Sequence, residues 1–199
     1  MPSLLSSIPR AYVWIAGIVL LVVLSAWFVY ANYIQTYHLA TVQDGVLYRD
    51  GCRTLREFET ALGRKRIRSV ISLVDERENL NEPFNQEREY CIRSRKKYTN
   101  IPVRLGGWPT SADVQQFLSM ATNPRLQPQL VHCAQGVRRT GMMVAAYQMS
   151  VLGWDKEKTK AAILTFGHSD RTVNDVKRFI DVYDPVNRMV PEGLPIGPE

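Results

Sequence analysis

The chain has 199 residues, with 25 Lys and Arg against 19 Asp and Glu for a formal charge of +6. That length holds one domain with a real core beside one short appended segment, and is too short for two full domains. The charge is modest and spread along the chain, which excludes a nucleic-acid-binding stripe. Three cysteines, Cys52, Cys91 and Cys133, form no CxxC pair and no even-numbered framework, so a disulfide scaffold is excluded too.

The first element in chain order is an apolar run. No Lys, Arg, Asp or Glu occurs from Ala11 to Gln43, and no polar face emerges at any helical period. About 20 helical residues span a hydrocarbon core of about 30 Å. Residues 12–34 therefore read as a single transmembrane helix after an N-terminal flank, 1–11. Tyr12 and Trp14 at one end, and Trp27, Tyr30 and Tyr33 at the other, suit aromatic belts. The rival is a cleaved signal peptide, with Val29-Tyr30-Ala31 as a small-residue cleavage pattern, but the run exceeds the usual h-region. Arg10 and the initiating amine precede the helix and the next cation is Arg49. The positive-inside rule then places the domain after the helix on the non-cytoplasmic side of a membrane.

Residues 35–184 alternate short apolar runs with helical patterns. Strands are expected at Gly45–Arg49, Ser69–Leu73, Tyr98–Val103 and Gln129–His132. Helices are expected at Thr54–Leu62 (stopped by Gly63), Asn85–Arg95, Thr110–Ala121, Thr140–Leu152, Asp155–Thr165 and Thr172–Tyr183. The alternation predicts an α/β fold with a mostly parallel central sheet flanked by helices. Two basic runs, 63–68 and 93–97, read as solvated helix ends, or else as contacts to an anionic membrane surface. Residues 185–199 form a Pro-rich tail with Pro185, Pro191, Pro195 and Pro198, expected to be disordered or loosely docked.

The chemistry concentrates in His132-Cys133-Ala134-Gln135-Gly136-Val137-Arg138-Arg139-Thr140-Gly141. A strand enters this stretch and a helix leaves it, so backbone N–H groups and a helix N-terminus converge on one point. An anion is stabilised there, and a thiol there ionises more easily than a free cysteine. Cys133 is the candidate nucleophile. Arg139 supplies a planar fork matching two phosphate oxygens. Thr140 is placed to donate its hydroxyl to the sulfur, and Gly136 permits a positive φ or close approach. Ala134, Gln135, Gly136, Val137, Arg138 and Arg139 are the expected phosphate-binding residues. His132 is expected to brace the loop by hydrogen bonds, and Gly141 to let the helix pack on it. Arg138 either adds a second cation toward highly charged phosphates or points outward.

This stretch resembles the signature of the cysteine-based protein tyrosine phosphatase superfamily, and the chain's size and order of elements resemble its dual-specificity branch. The likeness spans roughly Thr41 to Tyr183, with only the signature loop highly specific. It implies phosphomonoester hydrolysis through a phosphocysteine, with neither metal nor organic cofactor. Its implied partners are phosphorylated proteins, or phospholipid and inositol phosphates, as substrates.

One departure matters. Leu105 or Gly106 stands where many dual-specificity members carry a general-acid aspartate, and Trp108-Pro109 is followed by Thr110. Asp113 is the nearest candidate acid, although Thr110-Ser111-Ala112-Asp113 also fits a helix capping box. Asp75, Glu76 and Glu78 are further candidates, and an enzyme with no dedicated acid is another outcome. Two other readings stay open: a phosphate-binding regulatory module with weak turnover, and a sulfur-transfer enzyme of the rhodanese type. Cys52 or Cys91 either pack quietly or trap Cys133 as a disulfide.

Overall fold

A computed structural model describes residues 9–30 and 36–192. The chain divides into two units at Gln35/Thr36. In the first, helix α1 (Arg10–Val29) exposes apolar side chains all round, among them Trp14, Leu21 and Trp27. Among the described residues, its segment Ala11–Val29 is the one helix long and apolar enough to cross a membrane, by length and composition. Residues 1–8 of the expected flank 1–11, the cleavage position at Ala31, and Tyr33 lie outside the described residues.

The second unit is built on five strands, β1 (Ala40–Gln43), β2 (Leu47–Gly51), β3 (Ser69–Ser72), β4 (Lys97–Asn100) and β5 (Gln129–Cys133). Their spatial order is β1-β2-β5-β3-β4. β2, β5, β3 and β4 run parallel, while β1 pairs antiparallel with β2. The fold class read from the sequence is the one observed. β1 is the strand the sequence missed. A tight turn with Gly45 at φ +71° joins it to β2, and it shows no buried alternation that a pattern reading would find.

Every residue of β2, β3 and β5 is buried, as befits a sheet covered on both faces. One face carries Leu47, Ile71, Leu73, Val131 and Cys133 under α4 (Ser111–Ala121), α5 (Arg138–Ser150) and α7 (Asp170–Val182). The other carries Tyr48, Val70, Val74 and Leu130 under α2 (Leu55–Arg64) and α3 (Phe84–Arg93). Helix α6 (Lys156–Ala161) starts at the capping side chain of Asp155. Phe117 and Phe179 are fully buried, each worth about 1.5–3 kcal/mol.

Thr54 caps α2 as expected, accepting from Glu57 N at 3.3 Å. Gly63, expected as a stop, lies inside the last turn, and Arg66 takes the left-handed position instead at φ +51°. Beyond α7 the chain is docked. Asp184 and Met189 form an antiparallel bridge, and Val190 is buried against Ser111, whose hydroxyl accepts from Val190 N at 2.9 Å. Pro195 and Pro198 lie outside the described residues.

Candidate active site

Strand β5 sits centrally between β2 and β3 and delivers Cys133 to the C-terminal edge of the sheet, where α/β folds bind ligands. The loop from Ala134 to Val137 then turns into α5. Gly136 has φ +70°, and a Cβ there would stand 2.4 Å from Asp50 O, so no other residue fits without displacing backbone.

Three successive carbonyls of the loop are held outward. Cys52 N donates to Ala134 O at 3.0 Å, the His38 ring pairs with Gln135 O at 2.7 Å, and Arg49 Nη2 donates to Gly136 O at 2.6 Å. With the carbonyls tied off, the loop's N–H groups are left to face the anion. Gly136 N already donates to Cys133 Sγ at 3.2 Å. Arg49, buried at 4 % exposure, and His38 were invisible to sequence reasoning. They lie about 90 residues before the loop, and no local motif marks them.

Cys133 is buried, which by itself pushes the thiol up. The Arg139 guanidinium, the Thr140 hydroxyl and N–H, and Gly136 N–H outweigh burial and bring it below its ordinary value. The Thr140 hydroxyl has no nitrogen or oxygen partner, leaving it to serve the sulfur. Arg139 is gripped by Glu78, with Nη1 at 2.5 Å from Oε2 and Nη2 at 3.0 Å from Oε1. Leu73 O and Val103 O accept from the same guanidinium at 3.3 and 3.2 Å. Burial of Arg49 brings its guanidinium down to about 10, still cationic at neutral pH.

Several expectations are revised. His132 does not brace the loop by hydrogen bonds. It lies on the opposite sheet face, fully buried, with both ring nitrogens lacking a hydrogen bond and Nε2 3.3 Å from Glu87 Oε2. Burial pushes His132 down to about 3 and Glu87 up to about 8, so both are neutral near pH 7. Gly141 also packs against α7, where a Cβ would meet Val176 at 3.3 Å, and Arg49 Nη2, which holds Gly136 O, would stand 3.9 Å away. Arg138 does not reserve its donors for phosphate. It ion-pairs with Asp175, and its Nη1 and Nη2 donate to Gly107 O at 2.9 Å and Gly106 O at 2.6 Å. Trp108 Nε1 donates to the same aspartate at 3.0 Å. Arg138 thus clamps the 105–108 loop to α7.

Asp113 is not among the residues lining the cavity at Cys133. Its Oδ2 accepts from Thr110 N at 2.8 Å and Thr110 Oγ1 at 2.7 Å, which spends the carboxylate on capping α4. Asp75 is held below its usual range by N–H groups of Arg77 and Leu105 despite partial desolvation, so it stays ionised. The described carboxylates that do line the cavity, Glu78 and Asp175, are both paired to arginines. Cys52 and Cys91 belong to the α2/α3 face of the sheet and Cys133 to the other, which argues against a disulfide trap.

The cavity holds about 730 Å³ and is closed on one side by α7, which presents Arg171, Thr172, Asn174, Asp175 and Arg178 at helical spacing. Among the described residues, no group of three or more His, Cys, Asp or Glu is placed to hold a metal ion.

Residues 38–179 match the family described as "DSP-PTPase phosphatase fused to NAD+ Kinase". The dual specificity protein phosphatase TpbA of Pseudomonas aeruginosa (strain UCBPP-PA14) is 33% identical over 76 residues, covering 35% of this chain and 35% of that protein. The chain therefore spans about a third of the length of that relative. The core catalytic domain of the PP-IP phosphatase SIW14 from S. cerevisiae superposes with a TM-score of 0.63 at 21% identity, over 75% of this chain and 87% of that one. PTPMT1 in complex with PI(5)P superposes at 0.56 and 20% identity, over 72% and 94%. At such identities these two show a shared fold.

Proposed function

Because this chain belongs to the DSP-PTPase family, we propose that it hydrolyses phosphomonoesters through a phosphocysteine at Cys133. The observation carrying this reading is a buried thiol brought below its ordinary pKa by Arg139, Thr140 and Gly136. The Cys133 thiolate attacks phosphorus, forming S–P as the P–O bond to the leaving oxygen breaks. Arg139 and the loop N–H groups hold the equatorial oxygens as charge builds. Water then attacks the phosphocysteine, releasing inorganic phosphate and the thiolate, with the Thr140 hydroxyl stabilising the departing sulfur.

Substrate class follows from the leaving group. Neither described cavity carboxylate is free to donate a proton, and losing a general acid costs about 10²–10⁴ in rate. The reaction then favours leaving groups that depart without a proton, such as the phenolate of phosphotyrosine, whose parent pKa is about 10. A second reading, a multiply phosphorylated inositol or lipid headgroup, is favoured by Arg171 and Arg178 on the cavity wall. Rapid quench with an aryl phosphate tests the chemistry: a covalent phosphoenzyme is expected, and its absence sinks the mechanism. Phosphotyrosine peptides, phosphoserine peptides and inositol phosphates compared side by side rank the substrates.

We also propose that residues 12–34 anchor the chain by one membrane pass with the catalytic domain on the non-cytoplasmic side. Protease protection in sealed vesicles of known orientation is the check. A catalytic domain protected on the cytoplasmic side would overturn the sidedness.

A further inference from the structure

A second cationic hollow lies at the other end of the sheet. β3, β4 and β5 run parallel, so their starts at Ser69, Lys97 and Gln129 lie opposite the edge that carries Cys133. There the two basic runs of the sequence meet a third segment. Arg66 and Arg68 follow α2, Arg95 and Lys97 follow α3, and Arg125 precedes β5; with Lys96 they line a cavity of about 460 Å³. Among the described residues, no Asp or Glu lines it.

Two of these cations are engaged: Lys96 Nζ donates to Ile67 O at 2.6 Å and Arg68 Nη1 to Gln127 O at 3.4 Å. The side chains of Arg66, Arg95, Lys97 and Arg125 make no hydrogen bond or ion pair among the described residues. The backbone beneath them is pinned. Arg68 N donates to Pro128 O at 2.9 Å, Lys97 N to Arg68 O at 3.1 Å, and Ser69 Oγ to Leu126 O at 2.7 Å. Like charges are thus held together on a fixed floor with no counter-charge among the described residues that line it.

Attraction to helix C-termini explains cations in the last turns of α2 and α3, where Arg64 and Arg93 lie. It does not explain Arg68, Lys97 and Arg125, which lie outside those turns. Nor does it explain the backbone of Arg66 and Arg95. Both sit just past a helix end with φ +51° and +56°, the position where glycine is the unstrained choice. Arginine occupies both, and both side chains line the same hollow. Strain retained at two places on one rim points to a ligand.

We propose that this hollow is a second, non-catalytic site for a ligand carrying two or more phosphate groups. Arginine and lysine cations gathered in one hollow attract phosphate groups through their charge and donate charge-assisted hydrogen bonds to them. The phosphates come either from a soluble polyphosphate or from a membrane lipid headgroup. This inference is independent of the catalytic reading, since none of these residues lines the Cys133 cavity.

The test uses the full chain in nanodiscs of neutral phosphatidylcholine, with orthovanadate saturating the catalytic loop, titrated with inositol hexakisphosphate. Two variants are compared with the parent. R66G/R95G replaces strained arginines with the residue the backbone favours, so folding is retained, and K97E/R125E reverses charge. Each is expected to weaken binding by about tenfold or more while aryl phosphate turnover stays unchanged. Equal affinity in parent and R66G/R95G, with the melting temperature maintained, overturns the proposal. So does binding that vanadate abolishes, since the probe would then be in the catalytic loop. Discs that also carry a phosphatidylinositol bisphosphate separate the sources: weakened binding of the soluble probe assigns the site to lipid headgroups, and undiminished binding assigns it to soluble polyphosphate.

Discussion

The two cationic ends of the sheet are built in opposite ways. At the Cys133 end the three arginines in and behind the loop are fixed by partners: Arg139 by Glu78, Arg138 by Asp175, and Arg49 by Gly136 O. At the far end Arg66, Arg95, Lys97 and Arg125 line a hollow with no carboxylate on its walls. A cation that must meet developing charge at one atom is worth most when pre-organised, even with part of its field spent on a neighbour. A cation that only attracts phosphate works as a point charge and needs no fixed partner. The contrast predicts that the first end is intolerant of small chemical changes and the second tolerant.

The largest expected effect is at the nucleophile. Cys133→Ser should lower turnover by on the order of 10⁶-fold, the scale for deleting a covalent nucleophile, while phosphate analogues still bind. Steady-state assays with an aryl phosphate, joined to calorimetry, check both halves. Measurable turnover at parental rate would place the chemistry elsewhere.

Next comes the fork itself. Arg139→Lys keeps the charge but loses the paired donors that grip Glu78 and phosphate. A fall in kcat/KM of about 10²–10³ is expected, comparable with removing one oxyanion donor. The matching exchange at the far end, Arg125→Lys, should leave aryl phosphate turnover and polyphosphate affinity nearly unchanged. Equal sensitivity of the two positions would erase the distinction between cations fixed by partners and cations acting as point charges.

Of smaller size is a pH effect from beneath the loop, where Glu87 and His132 are buried side by side. Glu87 is raised to about 8 in the folded protein from 4.5, because burial disfavours its charge. A raised folded value means the folded chain holds a proton that the unfolded chain has released. The stability from this group is therefore complete below about pH 4.5 and is lost as pH rises through 8, at up to about 1.4 kcal/mol per pH unit. His132, lowered to about 3 from 6.5, works the other way: its stability is present above 6.5 and lost as pH falls toward 3. Subtracting the stability of Glu87→Gln from that of the parent isolates the carboxyl. That difference should shrink steadily from pH 4.5 to 8 in denaturant titrations; a flat difference would mean Glu87 is ionised throughout.

What the sequence revealed was local. The loop from His132 to Gly141 declared its chemistry because one strand, one turn and one helix contain it. Parallel strands declared themselves through short runs rich in Val, Ile and Leu, such as Ser69–Leu73. The parts that stayed hidden depend on distant partners. Arg49 and His38 look like ordinary members of an opening strand and its approach, until folding sets them against Gly136 O and Gln135 O. Arg138 reads as a phosphate ligand from its spacing, yet Asp175, 37 residues later, claims it. The basic runs at 63–68 and 93–97 read as solvated ends, and only the sheet brings them together with Arg125.

Asp113 shows the same rule from the opposite direction, since its local reading outlasted its functional one. The capping box is complete, with Thr110 Oγ1 accepting from Asp113 N at 3.2 Å while Asp113 Oδ2 accepts from Thr110 N at 2.8 Å. A carboxylate engaged by the N–H and hydroxyl of its own helix's cap, and outside the lining of the Cys133 cavity, is not placed to reach a leaving oxygen there. Asp113→Ala is therefore expected to cost about 1 kcal/mol of stability, the usual worth of a helix cap, and to leave the pH–rate profile in place. An acid in action would give the reverse pattern, a lost basic limb in kcat with stability untouched. Measured together, melting temperature and pH–rate profile decide between a residue that holds the fold and one that moves a proton.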